Sequence, residues 1–277
     1  MARNNQRRTH KPQPPPETKG DNVFSFVTPT DFVALPSEGR FYPAGHPLHN
    51  QDVVEIKFMT AKEEDILTSQ ALLVKGIALE RLVESVLIDK EVPASSLLVG
   101  DKNAILIATR ITGYGSEYET QVTCPSCEGV NPYKFDLDEI KSAPLITNTD
   151  VAKLTDAGTY IITGLTQTEA EVEVRMLTGD DDKKLIHRLE TNRKHNLGLP
   201  PLLEQMKSFI VSVNDNSNEM YLDSFLHNLP AMDARHLRKT YTALTPTVDM
   251  TQQYVCTSCL HETTLEVPLT ADFFWPE

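Results

Sequence analysis

Four cysteines are the residues of this chain best placed to do chemistry, and they are the only four it has. One pair lies in Val122-Thr123-Cys124-Pro125-Ser126-Cys127, the other in Tyr254-Val255-Cys256-Thr257-Ser258-Cys259. Each pair is Cys-x-x-Cys, a spacing that presents two thiolates on one tight turn and so supplies half of a tetrahedral zinc shell. Two such turns supply a whole one: Cys124, Cys127, Cys256 and Cys259 around one zinc per chain. The 128 residues between Cys127 and Cys256 are far more than the usual separation in a four-cysteine site. A disulfide reading fits less well, because no secretory leader is expected and intracellular thiols stay reduced. A redox pair would want a Cys-x-x-Cys that opens a helix beside a βαβ unit, and neither turn has that setting. Four thiolates leave no open coordination position, which points to structure and not catalysis. His261, two residues past Cys259, is an available substitute ligand that four thiolates make unnecessary.

Other constellations are weaker. His261-Glu262 begins like a metalloprotease helix but lacks the second histidine. No phosphate-binding loop, no Gly-x-Ser-x-Gly and no dinucleotide fingerprint occurs in the sequence. Asp180-Asp181-Asp182 lacks the glycine and distal glutamate of a calcium loop, and a helix dipole accounts for three acids in a first turn. No catalytic residue is expected.

The elements that must position the cysteines are two hairpins. A β-prone run leads into each turn (Tyr118 to Thr123; Gln252 to Val255) and another follows it (Tyr133 to Leu137; Thr263 to Val267). Upstream, Val53 to Met59 alternates as a strand. Thr60-Ala61-Lys62-Glu63 then reads as a capping box in which the Thr60 hydroxyl accepts from the Glu63 amide. Ile66, Leu67, Leu73 and Val74 predict one helix, and Ile77, Leu82, Val83, Val86 and Leu87 a second. Asp101 is expected to cap a third, carrying Ile105, Leu106 and Ile111. The second half repeats this plan. Val54-Glu55-Ile56-Lys57-Phe58-Met59-Thr60 lines up with Val172-Glu173-Val174-Arg175-Met176-Leu177-Thr178 at an offset of 118, while Asp101 to Cys124 and Asp233 to Cys256 both span 23 residues. Pro200 and Pro201 start a further helix whose stripe is Leu202, Leu203, Met206, Phe209, Ile210 and Val213. An internal duplication would bring equivalent turns face to face, with one ion tying the halves.

The expected fold class is α+β: two related lobes of helices plus short antiparallel hairpins, joined by a four-cysteine zinc-ribbon-like site. Residues 1–22 form a basic, proline-rich arm with little to bury and are expected to be disordered. The first lobe is 23–140 and the second 141–277. With 277 residues and 40% hydrophobic content the chain can bury a sizeable core. A net charge of −13 argues against a general nucleic-acid binder. No run approaches the roughly 20 apolar residues of a membrane span, and the expected compartment is cytosolic. Two aromatic groups are candidate partner contacts: Phe41 and Tyr42 on a Gly/Pro loop, and Phe273, Phe274 and Trp275 near the end of the chain. The alternative for each is burial in its own domain.

A series of motifs carries a family resemblance. It runs Leu35-Pro36-Ser37-x-Gly39-x-Phe41-Tyr42-Pro43, then Val54-Glu55-Ile56 with Met59-Thr60-x-Lys62-Glu63-Glu64-Asp65-Ile66-Leu67, then Gly100-Asp101 and Arg110, Tyr114-Gly115-x-x-Tyr118, and Cys124-Pro125-x-Cys127. In this order the pieces resemble the baseplate hub and hub-assembly proteins of T-even-type contractile-tailed phages. The resemblance covers about residues 33 to 140, with Phe274-Trp275-Pro276 in addition. It implies a non-enzymatic structural or assembly protein of the tail baseplate, made in the host cytoplasm; the expected location is the virion, at the tail baseplate. Its partners would be other tail and baseplate proteins and symmetry-related copies of itself, with no nucleic acid and no membrane. One alternative is a chaperone for the hub or tape-measure protein that is absent from the mature virion. A second is a zinc-ribbon nucleic-acid-binding module, which the glutamates flanking both turns disfavour.

Overall fold

Over Val53–Lys57 apolar and charged residues alternate, and the chain is extended there, with Val54 and Ile56 turned into the core. The computed structural model describes residues 28–195, 200–268 and 271–274. In chain order its elements are β1 (Thr30–Ala34), β2 (Val53–Lys57), α1 (Ala61–Thr68), α2 (Gln70–Val74), α3 (Ala78–Val86), α4 (Val99–Tyr114), β3 (Glu117–Thr123) and β4 (Val130–Asp136). There follow β5 (Lys141–Ser142), β6 (Asn148–Thr149), β7 (Ala152–Leu154), β8 (Thr159–Ile162), β9 (Val172–Arg175), α5 (Gly179–His195), α6 (Pro201–Phe209) and β10 (Ile210–Val213). The chain closes with α7 (Glu219–Asn228), α8 (Ala231–Leu244), β11 (Val248–Asp249), β12 (Thr251–Val255) and β13 (Glu262–Glu266). The class is α+β: helices with short sheets whose strand pairs are all antiparallel. One sheet has five strands in the order β10-β9-β8-β7-β6; the others are the pairs β1–β2, β5–β11, β3–β4 and β12–β13. The expected arm, 1–22, lies outside the described residues.

One contiguous apolar core runs from Val33 and Tyr42 through Ile105, Tyr160 and Val213 to Phe274, and so passes through both halves. The halves are also pressed together by backbone. A Cβ on Gly100 would sit 2.0 Å from the Pro246 carbonyl oxygen, so only glycine lets α4 cross the exit of α8 so closely. Residues 141–142, where the second lobe is expected to begin, pair with 248–249 and zip the link between the halves to the same place.

The two halves use the same local devices. At the start of α1 the Thr60 amide and hydroxyl donate to Glu63 Oε2 at 3.0 and 2.5 Å, and Lys57 Nζ lies 2.6 Å from Glu63 Oε1. At the start of α5 the Thr178 amide and hydroxyl donate to Asp181 Oδ2 at 3.1 and 3.0 Å, and Arg175 grips both carboxylate oxygens at 2.6 and 2.8 Å. Offset by 118 residues, threonine, acid and cation correspond one to one. The capping box expected at Thr60 is present, and in both boxes the acid's own amide also bonds the threonine carbonyl. A second correspondence joins Asp101 and Asp233, each fully buried in the first turn of its helix. Asp101 accepts from the Ser37 amide, the Ser37 hydroxyl and Tyr42 Oη at 3.0, 2.6 and 2.8 Å. Asp233 accepts from the Thr168 amide and hydroxyl at 2.8 and 2.9 Å. Each thus pins the loop between two paired strands, β1–β2 in one half and β8–β9 in the other.

Several expectations are corrected. Asp101 does not cap α4, which starts two residues earlier, at Val99; its carboxylate is taken by the Ser37 loop instead. The helix expected over Ile66 to Val74 is broken at Ser69, whose backbone is extended (φ −66°, ψ 104°), and the short α2 beyond it buries nothing. The stripe expected on α6 stops at Phe209. The β-branched run Ile210–Val213 leaves the helix and pairs with β9.

The two capping boxes make a pH prediction. Burial raises the Glu63 carboxyl, but bonds from Lys57, Ser85 and Thr60 outweigh it and hold it at about 2. Burial likewise raises Asp181, and Arg175 and Thr178 bring it to about 2. Unfolded carboxyls titrate near about 4, so below that the unfolded chain binds protons the folded chain refuses. The stabilisation is complete above about pH 4.5 and is lost as the pH falls toward about 2. Urea titrations should show the midpoint falling through that window. Glu63→Gln and Asp181→Asn should each lower stability at pH 6 by about 1–3 kcal/mol and flatten the acid limb. An acid limb unchanged in both variants would contradict ionised staples.

Candidate metal centre

Each sulfur pair is built by the same turn, residues 124–129 in one hairpin and 256–261 in the other. In the first, the Cys124 amide bonds the Gly129 carbonyl (2.9 Å), the Glu128 amide bonds the Cys124 carbonyl (2.9 Å), and Glu128 is left-handed at φ 55°. In the second, the Cys256 amide bonds the His261 carbonyl (3.0 Å), the Leu260 amide bonds the Cys256 carbonyl (3.0 Å), and Leu260 is left-handed at φ 58°. Both turns aim an amide at their first sulfur: Ser126 N to Cys124 Sγ and Ser258 N to Cys256 Sγ, each 3.4 Å. The hairpins β3–β4 and β12–β13 carry these turns and pack inner face to inner face. Tyr133 meets Tyr254 edge-on at 5.1 Å and donates to the Gln253 carbonyl at 2.6 Å. The Gln252 side chain bonds the Asp136 backbone across the same seam.

The result is a cluster of four sulfurs, all within 4.8 Å of one another. Cys124 and Cys259 are 3.7 Å apart and Cys127 and Cys256 3.8 Å apart, so the close pairs cross from one turn to the other. A tetrahedral shell with bonds of about 2.3 Å puts its sulfurs about 3.8 Å apart. The four cysteines therefore have the geometry to hold a metal ion. Two of them, Cys124 and Cys256, are buried; Cys127 and Cys259 are exposed. The electrostatics ask for a cation. Amides of Cys259 and Ser258 hold the Cys256 thiol down to about 6, against the pull of burial. The His261 amide lowers Cys259, but burial and the three neighbouring sulfurs outweigh it and push that thiol up. Four sulfurs at this range cannot all ionise without a positive charge among them. His261 contributes its carbonyl to the turn and is not in the cluster.

Sequence reasoning passed over Asn131, on β4. Its side-chain nitrogen lies 3.6 Å from Cys256 Sγ, and its oxygen accepts from Thr257 Oγ1 at 2.9 Å and Ser258 Oγ at 3.0 Å. One buried amide of the first hairpin thus clamps the turn of the second and dampens charge on a sulfur. Its place in the other hairpin, 132 residues on, is Thr263, so the clamp is one-sided. A lone asparagine before a proline gave no signal in sequence.

The aromatic candidates fall elsewhere. Tyr42 is buried, stacks on His46 at 4.5 Å and receives the Leu98 amide at 3.1 Å. Phe273 and Phe274 are buried in the chain's own core. Phe273 meets Tyr118 edge-on at 5.2 Å, and its carbonyl takes Arg110 Nε at 2.7 Å. These three are buried in the chain's own fold, the alternative weighed for each group, and have almost no surface of their own there. Phe41 is half-buried, 5.6 Å from the Tyr160 ring. Trp275 lies outside the described residues.

Two predictions follow from this geometry. Cys127→Ser and Cys259→Ser should behave alike, each losing bound metal and lowering the thermal midpoint by roughly 10 °C. One variant keeping its metal would rule out a shared shell. Asn131→Ala should speed metal transfer to a chromogenic chelator by about 10- to 100-fold, while Thr263→Ala leaves it near the native rate. Equal effects of the two would refute the clamp.

In comparisons with known proteins, a family model described as T4 bacteriophage base plate protein matches residues 31–275. No curated protein and no solved structure matches the chain.

Proposed function

This chain belongs to the T4 bacteriophage base plate protein family, and we propose that it is a non-enzymatic structural or assembly protein of the hub region, stapled by one zinc ion. A structural role in the phage baseplate, in the virion tail, follows from a match that takes in 245 of 277 residues (31–275). The observation that carries the finer reading is the sulfur cluster. Four thiolates at tetrahedral spacing suit a soft, redox-inert ion with no demand for an open position, and zinc meets that description.

The described carboxylates support a non-enzymatic role. Glu63, Asp101, Asp181 and Asp233 are the buried acids with the densest bonding, and each is consumed in pinning a loop or a helix start. The outer faces of the hairpins support protein partners over nucleic acid. Glu117, Glu119, Asp136, Glu262 and Glu266 are exposed there, and Lys134 lies 3.5 and 3.7 Å from Glu117 and Glu119. We also read the chain as two related lobes, 23–140 and 141–277, each giving one hairpin to the shared ion. The matched capping boxes and the matched buried aspartates support that division, and the continuous core makes the lobes interdependent.

Native mass spectrometry of the full chain should find one zinc, released together with folding on chelation. Mass spectrometry of finished particles should find the protein retained at the baseplate. A chain without metal would remove the zinc staple. Absence from finished particles would move the role to assembly, as a factor that holds a hub or tape-measure protein and departs.

A further inference from the structure

Leu260 breaks two local rules at once. Its backbone is left-handed (φ 58°), a region that favours glycine and asparagine, and its side chain is 76% exposed. The corresponding residue of the first turn is polar, Glu128. Around the same end of the ribbon Val130 and Val255 are also exposed, with the exposed carboxylates of Glu128 and Glu262 beside them in sequence. The tips of the metal-bearing turns therefore present apolar side chains flanked by negative charge.

The complementary surface lies on the first half of the same chain. A groove of about 680 Å³ opens between β2, α1, α2 and α3. Ile66, Leu72 and Ile88 line it with apolar surface and Lys62 and Lys90 with positive charge; Lys57 and Arg81 also line it but are paired with Glu63 and Glu84 of the chain itself. Neither Lys62 nor Lys90 has an ion-pair partner among the described residues; Lys90 rests on the carbonyls at the end of α3. Beside the groove, α2 buries none of its residues, and its Val74 is 82% exposed.

The second half supplies an internal comparison. The groove bordered there by Arg175, Lys183, Arg188 and Lys207 occupies the equivalent place, but each of these cations faces a carboxylate of the chain itself: Asp181, Glu80, Glu204, and Glu219 with Asp223. Ile210 is the one large apolar residue lining it. Lys184 also borders this groove without an ion pair among the described residues, so the difference between the two is one of degree: Lys62 and Lys90 lie unpaired beside three large apolar residues in the first groove, and most cations of the second are matched.

We propose that the Leu260 end of the ribbon of one copy seats in the α1–α3 groove of a second copy. Leu260 and Val130 cover Ile66, Leu72 and Ile88, while Glu128 and Glu262 meet Lys62 and Lys90. Within one chain the two surfaces remain open, so the contact is between copies. It is head-to-tail: every copy that joins leaves one groove and one ribbon end unused. Such a contact closes into a ring or extends as an open chain. The proposal is independent of which metal the cysteines hold.

Sedimentation velocity on the full, metal-bearing chain tests it. Native protein should self-associate with rising concentration, less so at about 500 mM than at about 50 mM salt, because the contact includes partly exposed ion pairs. Lys62→Glu removes a groove cation, and Leu260→Asp removes the apolar tip with a residue type that tolerates left-handed backbone. Each should weaken self-association about tenfold or more while retaining native metal content and circular dichroism. A mixture of the two variants should form a dimer and stop there, since one intact groove and one intact tip remain. A native chain that stays monomeric throughout, or association that both variants leave unchanged, would overturn the proposal. So would a mixture that forms nothing.

Discussion

Four sulfurs drawn from distant parts of the sequence, two near its middle and two near its end, must share a space less than 5 Å across, all lying within 4.8 Å of one another. The ribbon has little apolar packing of its own to hold them there. Its own apolar cluster of buried residues is only Cys124, Tyr254 and Cys256, and two-stranded hairpins are marginal alone. The turns are 128 residues apart in sequence, and closing a loop of that length costs on the order of 5 kcal/mol. Structural zinc contributes about 10–16 kcal/mol in small zinc domains. A zinc ion held there would outweigh the closure cost with a margin that hydrogen bonds across the seam, at about 1 kcal/mol each, do not approach.

The rest of the molecule prepares that meeting. In each half a buried aspartate at the start of the long helix before the hairpin pins a loop between paired strands, and a threonine–acid–cation box starts the first helix. These devices fix the helices against one core, and the helices fix where each hairpin leaves it. Arg110 finishes the arrangement on one side. It is buried in α4, and it donates to the carbonyls of Gly115 and Glu117 at the entry to β3 and to that of Phe273. The terminal aromatics are thus a clasp on the first hairpin.

Much of this was legible in sequence, and for identifiable reasons. Cysteine spacing exposes a metal site because the ligand chemistry is rare and the turn geometry is local. The offset of 118 residues between Thr60 and Thr178 exposes paired capping boxes because such boxes are written in four consecutive residues. Burial of aromatics is not local. Tyr42 on a Gly/Pro loop and Phe273 near the end read as surface, yet Asp101 and Arg110, 59 and 163 residues away, draw them inward. The same limit hid the true task of Asp101 and the Asn131 clamp, whose partners lie 64 and 125–127 residues off. The change from helix to strand at Ile210 was missed because a periodic apolar run fits both until β9 is in place to pair with it.

The most direct test is zinc K-edge X-ray absorption on the full-length native chain. The account predicts one zinc per chain surrounded by four sulfur scatterers at about 2.3 Å, with no light-atom ligand in the first shell. A shell of two sulfurs completed by nitrogen or oxygen, or two half-sites in place of one, would contradict the claim that a single ion joins the halves.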